Sequence, residues 1–393
     1  MTAAKDTRRS SLRDTAATTT AALVFSVALG IASVALPLLA LEAGYSGVQV
    51  GLLVALSALA QMLARIGMGA WMNRFPDWTF ILAAAVLLAV SNAAAALTTA
   101  LVPFAVAHLL QGVARAFFWT GSQTHMVRGD RPAVSGLAVI NLVSAAGLLI
   151  GPVVAGYVGE RSLSAALAVA TALAAAACVP TLLLDRLPPF TPPADRPPGR
   201  IWRRPGVDAG CWAAVSSGAW RGLLGSYVPV ALEAAGQTTA AIGLLVSLAN
   251  GAQLAGSGVV GRLRARGLAL SLVVGALAAG AGTAAVGPFA TSAALVALAL
   301  VVSGLGAGAL QTAGPAVAAE AVHREERGEA IAASGTFRAA ALLVAPLGAA
   351  GIVTFAPVAV ALALGGALIA APAVLSARLS RRARHPSTEG TTT

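Results

Sequence analysis

The chain has 393 residues, of which 58% are hydrophobic and 10% charged, with a mean hydropathy of +0.82. Soluble domains are usually about 45–50% apolar and about 25% charged, so this composition excludes an ordinary soluble fold and points to a protein built for lipid. The net charge of +11 does not indicate nucleic acid, because the basic residues are scattered between apolar runs and do not cluster on one face.

A helix that spans a bilayer needs roughly 20 apolar residues. Hydropathy places such runs near 21–41, 48–71, 79–100, 102–125, 134–157 and 163–184, and then near 207–232, 239–260, 267–287, 290–319, 330–354 and 356–377. The first run follows a polar tail and continues past Pro37 without a cleavage-like small-residue site, so it reads as a retained span and not a signal peptide. Of the 26 Lys and Arg residues, 21 fall on the side of these runs that holds both ends of the chain, and Arg161 alone falls on the other. Basic residues are retained on the cytoplasmic side, which predicts an inner-membrane protein with both termini in the cytoplasm.

The stretch beginning at Ala43, AGYSGVQVGLLVALSALAQMLARIGMGAWMNR, recurs from Ala235 as AGQTTAAIGLLVSLANGAQLAGSGVVGRLRAR. Gly44 matches Gly236, Gly51 matches Gly243, Gln61 matches Gln253, Gly69 matches Gly261 and Arg74 matches Arg266, without a gap. Internal repeats describe architecture before single residues do. The expected fold is therefore all-α: twelve transmembrane helices in two pseudo-symmetric six-helix bundles. The divisions are a tail (1–20), a first bundle (21–184), a Pro/Arg-rich cytoplasmic linker (185–206), a second bundle (207–377) and a final tail (378–393).

Several short patterns resemble the major facilitator superfamily of secondary transporters. Arg65-x-x-x-Gly69-x-x-x-Asn73-Arg74 resembles the loop signature after the second span, with Asn73 where the family ordinarily has Asp. His108-Leu109-Leu110-Gln111-Gly112 resembles the fourth-span signature, with His108 where Arg is usual. Gly147, Gly151, Pro152 and Gly156 resemble the fifth-span signature associated with proton-exchanging exporters, and Ala341, Ala345, Pro346 and Ala350 echo it in the eleventh span. Arg327-Gly328-Glu329-Ala330 resembles the start of the eleventh span. The resemblance implies alternating access about a central site, a loop gate at Gly69, Asn73 and Arg74, and a bending helix pair at Pro152 and Pro346.

Arg65, Arg115, Arg221 and Arg338 fall within spans. On insertion scales each costs about 2.5–3.5 kcal/mol at mid-bilayer. Arg65 stands near a span end and is expected to snorkel, while Arg338 is open between a structural role, reaching Glu320 or a loop acid, and a functional one. Arg115 and Arg221 are deep, with no Asp or Glu at comparable depth. A deep cation without a deep anion implies a wet cavity, a helix C-terminus or an anionic substrate. Cavity candidates are Arg115, Arg221, Gln111, Asn141, Trp119, Trp220, Tyr227 and Gln253. The alternative is that the amides join helices and the arginines cap carbonyls at kinks. His108, with a reference pKa of about 6.5, is the candidate for proton coupling, against the alternative of a histidine bonded within the helix bundle.

The chain has one lysine, Lys5, so no P-loop is present. His108, His125, His323 and His385 form no metal spacing. Cys178 and Cys211 form no disulfide framework. No nucleophile–base motif is recognisable. The sequence thus predicts a transporter and not an enzyme, with no metal, cofactor or nucleic-acid partner. It predicts a monomer among membrane lipids that moves a small amphipathic, neutral or anionic molecule, most simply by proton-coupled efflux. Alternatives are a proton-coupled importer of an anionic nutrient and, more remotely, a membrane sensor or a lipid-modifying enzyme.

Overall fold

A computed structural model describes residues 2–72, 74–128, 133–189, 201–260, 265–322 and 327–384. Its helices are α1 (Thr2–Glu42), α2 (Gly47–Met72), α3 (Asp77–Leu97), α4 (Leu101–Arg128), α5 (Ala133–Gly159), α6 (Leu163–Ala176), α7 (Cys178–Leu182), α8 (Val207–Leu224), α9 (Tyr227–Ala234), α10 (Thr239–Val260), α11 (Ala265–Val286), α12 (Ala293–Glu320), α13 (Arg327–Val353) and α14 (Val358–Arg384), with a 3-10 turn at Ile201–Arg203. Nine helical segments among the described residues are long and apolar enough to cross a membrane, and Leu270–Val286 and Val358–Ala373 are shorter apolar helices. Helices are the outcome lipid demands, because each satisfies its own backbone N–H and C=O groups.

Two expected spans are broken, and one starts early. The seventh, read as continuous over 207–232, divides into α8 and α9 at Gly225–Ser226. The sixth divides at Ala177 into α6 and α7. Each break stands three residues ahead of a proline, Pro229 or Pro180, which then occupies a first turn where no N–H is needed. Proline alone does not dictate a break, since Pro37, Pro152, Pro315, Pro346 and Pro372 sit inside unbroken helices. At Gly225 the local Gly-Ser pair adds to it, with Ser226 Oγ donating to Gly222 O at 2.7 Å. The first helix begins at Thr2 and not at 21, so the polar tail continues the helix of the span.

Helix packing repeats between halves. In the first, α1 lies on α5 and α6, α2 on α4, and α3 on α4 and α6. In the second, α8 lies on α13 and α14, α10 on α12, and α11 on α12 and α14. Across the halves, α5 meets α10 and α2 meets α13, so each cross-half pair is the image of the other. The repeat reaches individual hydrogen bonds. Ser46 Oγ accepts from Gln49 N at 3.3 Å, and its counterpart Thr238 Oγ1 accepts from Ala241 N at 3.2 Å. Tyr45 donates to Thr99 O, and its counterpart Gln237 donates to Ala290 O. Gly44 and Gly236 both hold a left-handed backbone, with φ of 87° and 79°, in the turn after the span. A side chain there would be strained, which explains why both copies have glycine.

The halves close on the face opposite the chain termini, here the far face. A Cβ on Gly51 would lie 2.1 Å from the Tyr227 hydroxyl oxygen, and one on Gly243 would lie 2.3 Å from Pro152 O. These are repeat-related positions, and each is where one half's backbone presses on the other. Tyr227 donates to Gly47 O at 2.9 Å, Ser247 donates to Leu149 O, and Asn250 donates to Leu148 O at 3.2 Å. Counted along α5 and α10, this seam ends about 16 Å below the far face at the helical rise. Gly147 and Gly151 meanwhile let α1 approach α5, with Val27 O 2.5 Å from where a Gly151 Cβ would stand. The expected small-residue motif thus lies between the halves as well as inside one.

Candidate functional site

Just beyond the seam, on the side of the chain termini, four neighbouring helices form one wall. α4 lies on α2, α2 on α13, and α13 on α8. A Cβ on Gly112 would meet Ser57 O at 2.1 Å, and one on Gly218 would meet Arg338 O at 2.5 Å, so α4 touches α2 and α8 touches α13 backbone to backbone. Away from its ends, each of the four carries one arginine: Arg115 on α4, Arg65 on α2, Arg338 on α13 and Arg221 on α8. All four side chains are half-buried. Arg115 lies within range of the charge of Arg221, and Arg221 and Arg65 within range of that of Arg338, so like charges neighbour one another along this wall. Arg115 and Arg221 come from different halves.

Arg115 Nη2 donates to Gln111 Oε1, one turn earlier on α4, at 2.8 Å. Arg221 Nη1 donates to Asn250 Oδ1 on α10. Asn250 therefore carries two tasks, since its amide nitrogen also bonds Leu148 O across the halves. The Nε atoms of Arg65, Arg115 and Arg338 and the Nε2 of Gln111 are buried without a partner. No Asp or Glu among the described residues pairs with any of the four arginines. The expected link from Arg338 to Glu320 does not form, and Glu320 is exposed at the end of α12.

Arg221 stands in the last turn of α8, made by the break at Gly225. A cation at a helix C-terminus gains about 0.3–1 kcal/mol, and up to about 2 in partly buried geometry, against about 2.5–3.5 kcal/mol for burial at mid-bilayer. The helix end offsets part of the cost for one arginine and none for the other three. Water or an anion must supply the remainder.

The other expected site residues scatter. Trp119 is half-buried, edge-on to Phe118 with ring centroids 5.9 Å apart. Trp220 is 2% exposed, and Tyr227 is fully buried, its hydroxyl in the seam. Asn141 is exposed and accepts from Gln123 at 3.3 Å, and Gln253 donates to Gln311 Oε1 at 2.5 Å. His108 is buried, its ring 5.0 Å from that of Phe104, with Nδ1 2.9 Å from Phe104 O. A carbonyl only accepts, so Nδ1 carries the hydrogen and Nε2 is the atom left to take a proton. Arg74 is exposed in the turn after α2, Gly69 lies within α2, and Asn73 lies outside the described residues. Pro152 and Pro346 sit inside α5 and α13.

One cluster was not anticipated. His125 at the end of α4 sits between two carboxylates, with Nε2 3.0 Å from Asp14 Oδ1 and Nδ1 3.2 Å from Asp77 Oδ1. Asp14 also accepts from the backbone N of Asp185 at 2.8 Å. The cluster ties α1, α3, α4 and the start of the linker together within one half. It was hidden because its members are far apart in sequence, and the acids read singly as tail and loop charges. No group of metal-binding residues occurs among the described residues.

The sequence matches the Major Facilitator Superfamily over residues 18–346 and again over 210–392. The chain belongs to that superfamily. Solved superfamily-like transporters share its fold. A POT family transporter in complex with 5-aminolevulinic acid superposes with a TM-score of 0.76 at 12% identity, covering 94% of this chain and 96% of that one. A mutant of the nucleoside transporter NupG gives 0.76 at 13% identity, with 95% and 99% covered. A bacterial homologue of the human lysosomal transporter Spinster, inward-facing and unoccupied, gives 0.67 at 13% identity, with 97% and 99% covered. No curated protein matches the sequence significantly. The family points to a multi-pass membrane transporter rather than an enzyme. At such identities the likeness speaks for the fold alone.

Proposed function

We propose that this superfamily member exports a small amphipathic anion across the cytoplasmic membrane by alternating access, in exchange for protons. One observation carries the reading: Arg115 and Arg221, one from each half, lie within range of each other's charge, and no Asp or Glu among the described residues pairs with either. A transported anion supplies the missing charge. α10 reaches the arginines through Asn250, which accepts from Arg221, and the half-buried Leu148 and Leu149 of α5 beside it supply apolar surface, which suits a solute with a charged head and an apolar body. The small-residue motif around Pro152, placed in the cross-half seam, supports the export direction, and Nε2 of His108, near Arg115, is our candidate for the proton.

Purified protein in liposomes tests this. Arg115→Ala and Arg221→Ala, both well folded, should each abolish transport of an amphipathic carboxylate, and unchanged transport in both would end the proposal. Uptake of an anionic nutrient would use the same arginines. Inside-out and right-side-out vesicles under an imposed pH gradient separate the two directions. His108→Gln should uncouple flux from the gradient while leaving exchange of solute intact.

A further inference from the structure

Arg65 and Arg338 are not accounted for by a single central site. They stand on α2 and α13, the cross-half pair whose far ends meet where Gly47 approaches Val353. Counted from that contact, Arg65 lies about 27 Å and Arg338 about 22 Å along their helices at the helical rise. Both are nearer the terminal face than the hydrogen-bonded part of the α5–α10 seam. They come from opposite halves, lie within range of each other's charge, and each has a buried Nε without a partner. Neither has an acidic partner among the described residues. The same is true of Arg115 and Arg221, and Arg221 also lies within range of Arg338, so the four form one ladder whose terminal-side end is Arg65 and Arg338, one from each half.

The geometry points to Arg65 and Arg338 as a second anion station that makes closure of the terminal face depend on a bound anion. The inference rests on the alternating-access reading above. If α2 and α13 pivot about their far-end contact, closing the terminal face brings these two guanidinium groups together. Two like charges approaching in a partly dry cleft oppose that motion. An anion held between them, a carboxylate or phosphate group on the solute or a free anion following it, removes the opposition. The empty protein is thereby held open toward the termini and does not cycle, whereas the loaded protein is free to close. In an exporter this suppresses futile switching, and after release it drives the empty protein back, because reopening separates the charges.

The test reads closure, not transport. Labels are attached at Phe75→Cys and Ile331→Cys, both exposed near the terminal face, in a background lacking Cys178 and Cys211. Inter-label distances are measured in lipid nanodiscs before and after adding inorganic phosphate. Arg65→Gln and Arg338→Gln should each raise the closed fraction of the phosphate-free protein about fivefold, the size expected when like charges close by a few ångströms at an effective dielectric of about 20. Arg65→Lys and Arg338→Lys keep the charge and should stay open. Phosphate should close the parent protein and add little in the Gln variants. A closed fraction equal in the Gln variants and the parent overturns the proposal. So does closure in the Lys variants, which would make the effect one of packing, and so does a parent protein indifferent to phosphate. A failed central site would show instead as unchanged transport in Arg115→Ala and Arg221→Ala, with these distance changes intact.

Discussion

Gly243→Ala should open the far-face seam. The new methyl carbon would stand 2.3 Å from Pro152 O and 2.8 Å from Gly156 Cα, both backbone atoms of α5 that cannot turn aside. Relief requires α10 and α5 to separate by about 1 Å, since carbon and carbonyl oxygen rest at roughly 3.3 Å or more. One and two turns along α10 lie Ser247 and Asn250, whose bonds to Leu149 O and Leu148 O cross the same seam. Overpacking costs about 1–3 kcal/mol, and each weakened hydrogen bond about 0.5–1.5 kcal/mol. A net loss of about 2–3 kcal/mol from the far-closed state, at about 1.4 kcal/mol per tenfold, shifts the population by roughly 30- to 140-fold toward far-face opening. Distance distributions between labels at Tyr157 and Leu244, both exposed on the two helices, would show it. Gly258→Ala is the control, because a Cβ there meets nothing within 4 Å. Identical distributions for Gly243→Ala and Gly258→Ala would refute the assignment of this seam as the far gate.

Three further outcomes are expected. Asn250→Asp places a carboxylate against Arg221, satisfying it internally, so affinity for an anionic solute should fall by tenfold or more in a direct binding titration while the fold persists. His125→Ala leaves the buried Asp77 without its imidazole partner. Breaking a buried pair costs about 3–5 kcal/mol, so the thermal midpoint should drop clearly, with solute affinity in the surviving folded protein unchanged. Gly44→Ala and Gly236→Ala should each cost about 1 kcal/mol in a stability assay, because each position has open space around it but a backbone that favours glycine.

Much of the fold was legible because lipid leaves few options. Apolar runs of sufficient length marked the spans, and the ungapped repeat from Gly44 to Arg74 placed Gly51 and Gly243 as equivalents before their shared role in the seam was visible. The break in the seventh span was less legible. Pro229 follows Gly225–Ser226 in the sequence, yet five other prolines leave their helices whole, and only packing decides between them. For the site, the absence of deep acids near Arg115 and Arg221 could be read directly. What could not be read is where a side chain of several bonds ends up. Trp220 and Tyr227 had the residue types for a solute-lining wall, but they pack into the core and the seam. Arg338 does not pair with Glu320, and the acids Glu325 and Glu326 of the neighbouring loop lie outside the described residues. Asp14, Asp77 and His125 illustrate the same gap, being distant along the chain and joined only once α1, α3 and α4 are assembled.

The bond from Asp185 to Asp14 has a mechanical consequence. The crossover chain is moored to the first half at Asp185 and to the second at Ile201, which is buried against Val207, Cys211 and Ala330. Between these moorings the chain can stretch to roughly 50 Å at about 3.3–3.6 Å per residue. A contour of that length sets no limit on small tilts of one half against the other. Cutting it with a protease should therefore leave a non-covalent pair of fragments that still associates through the seam and still switches.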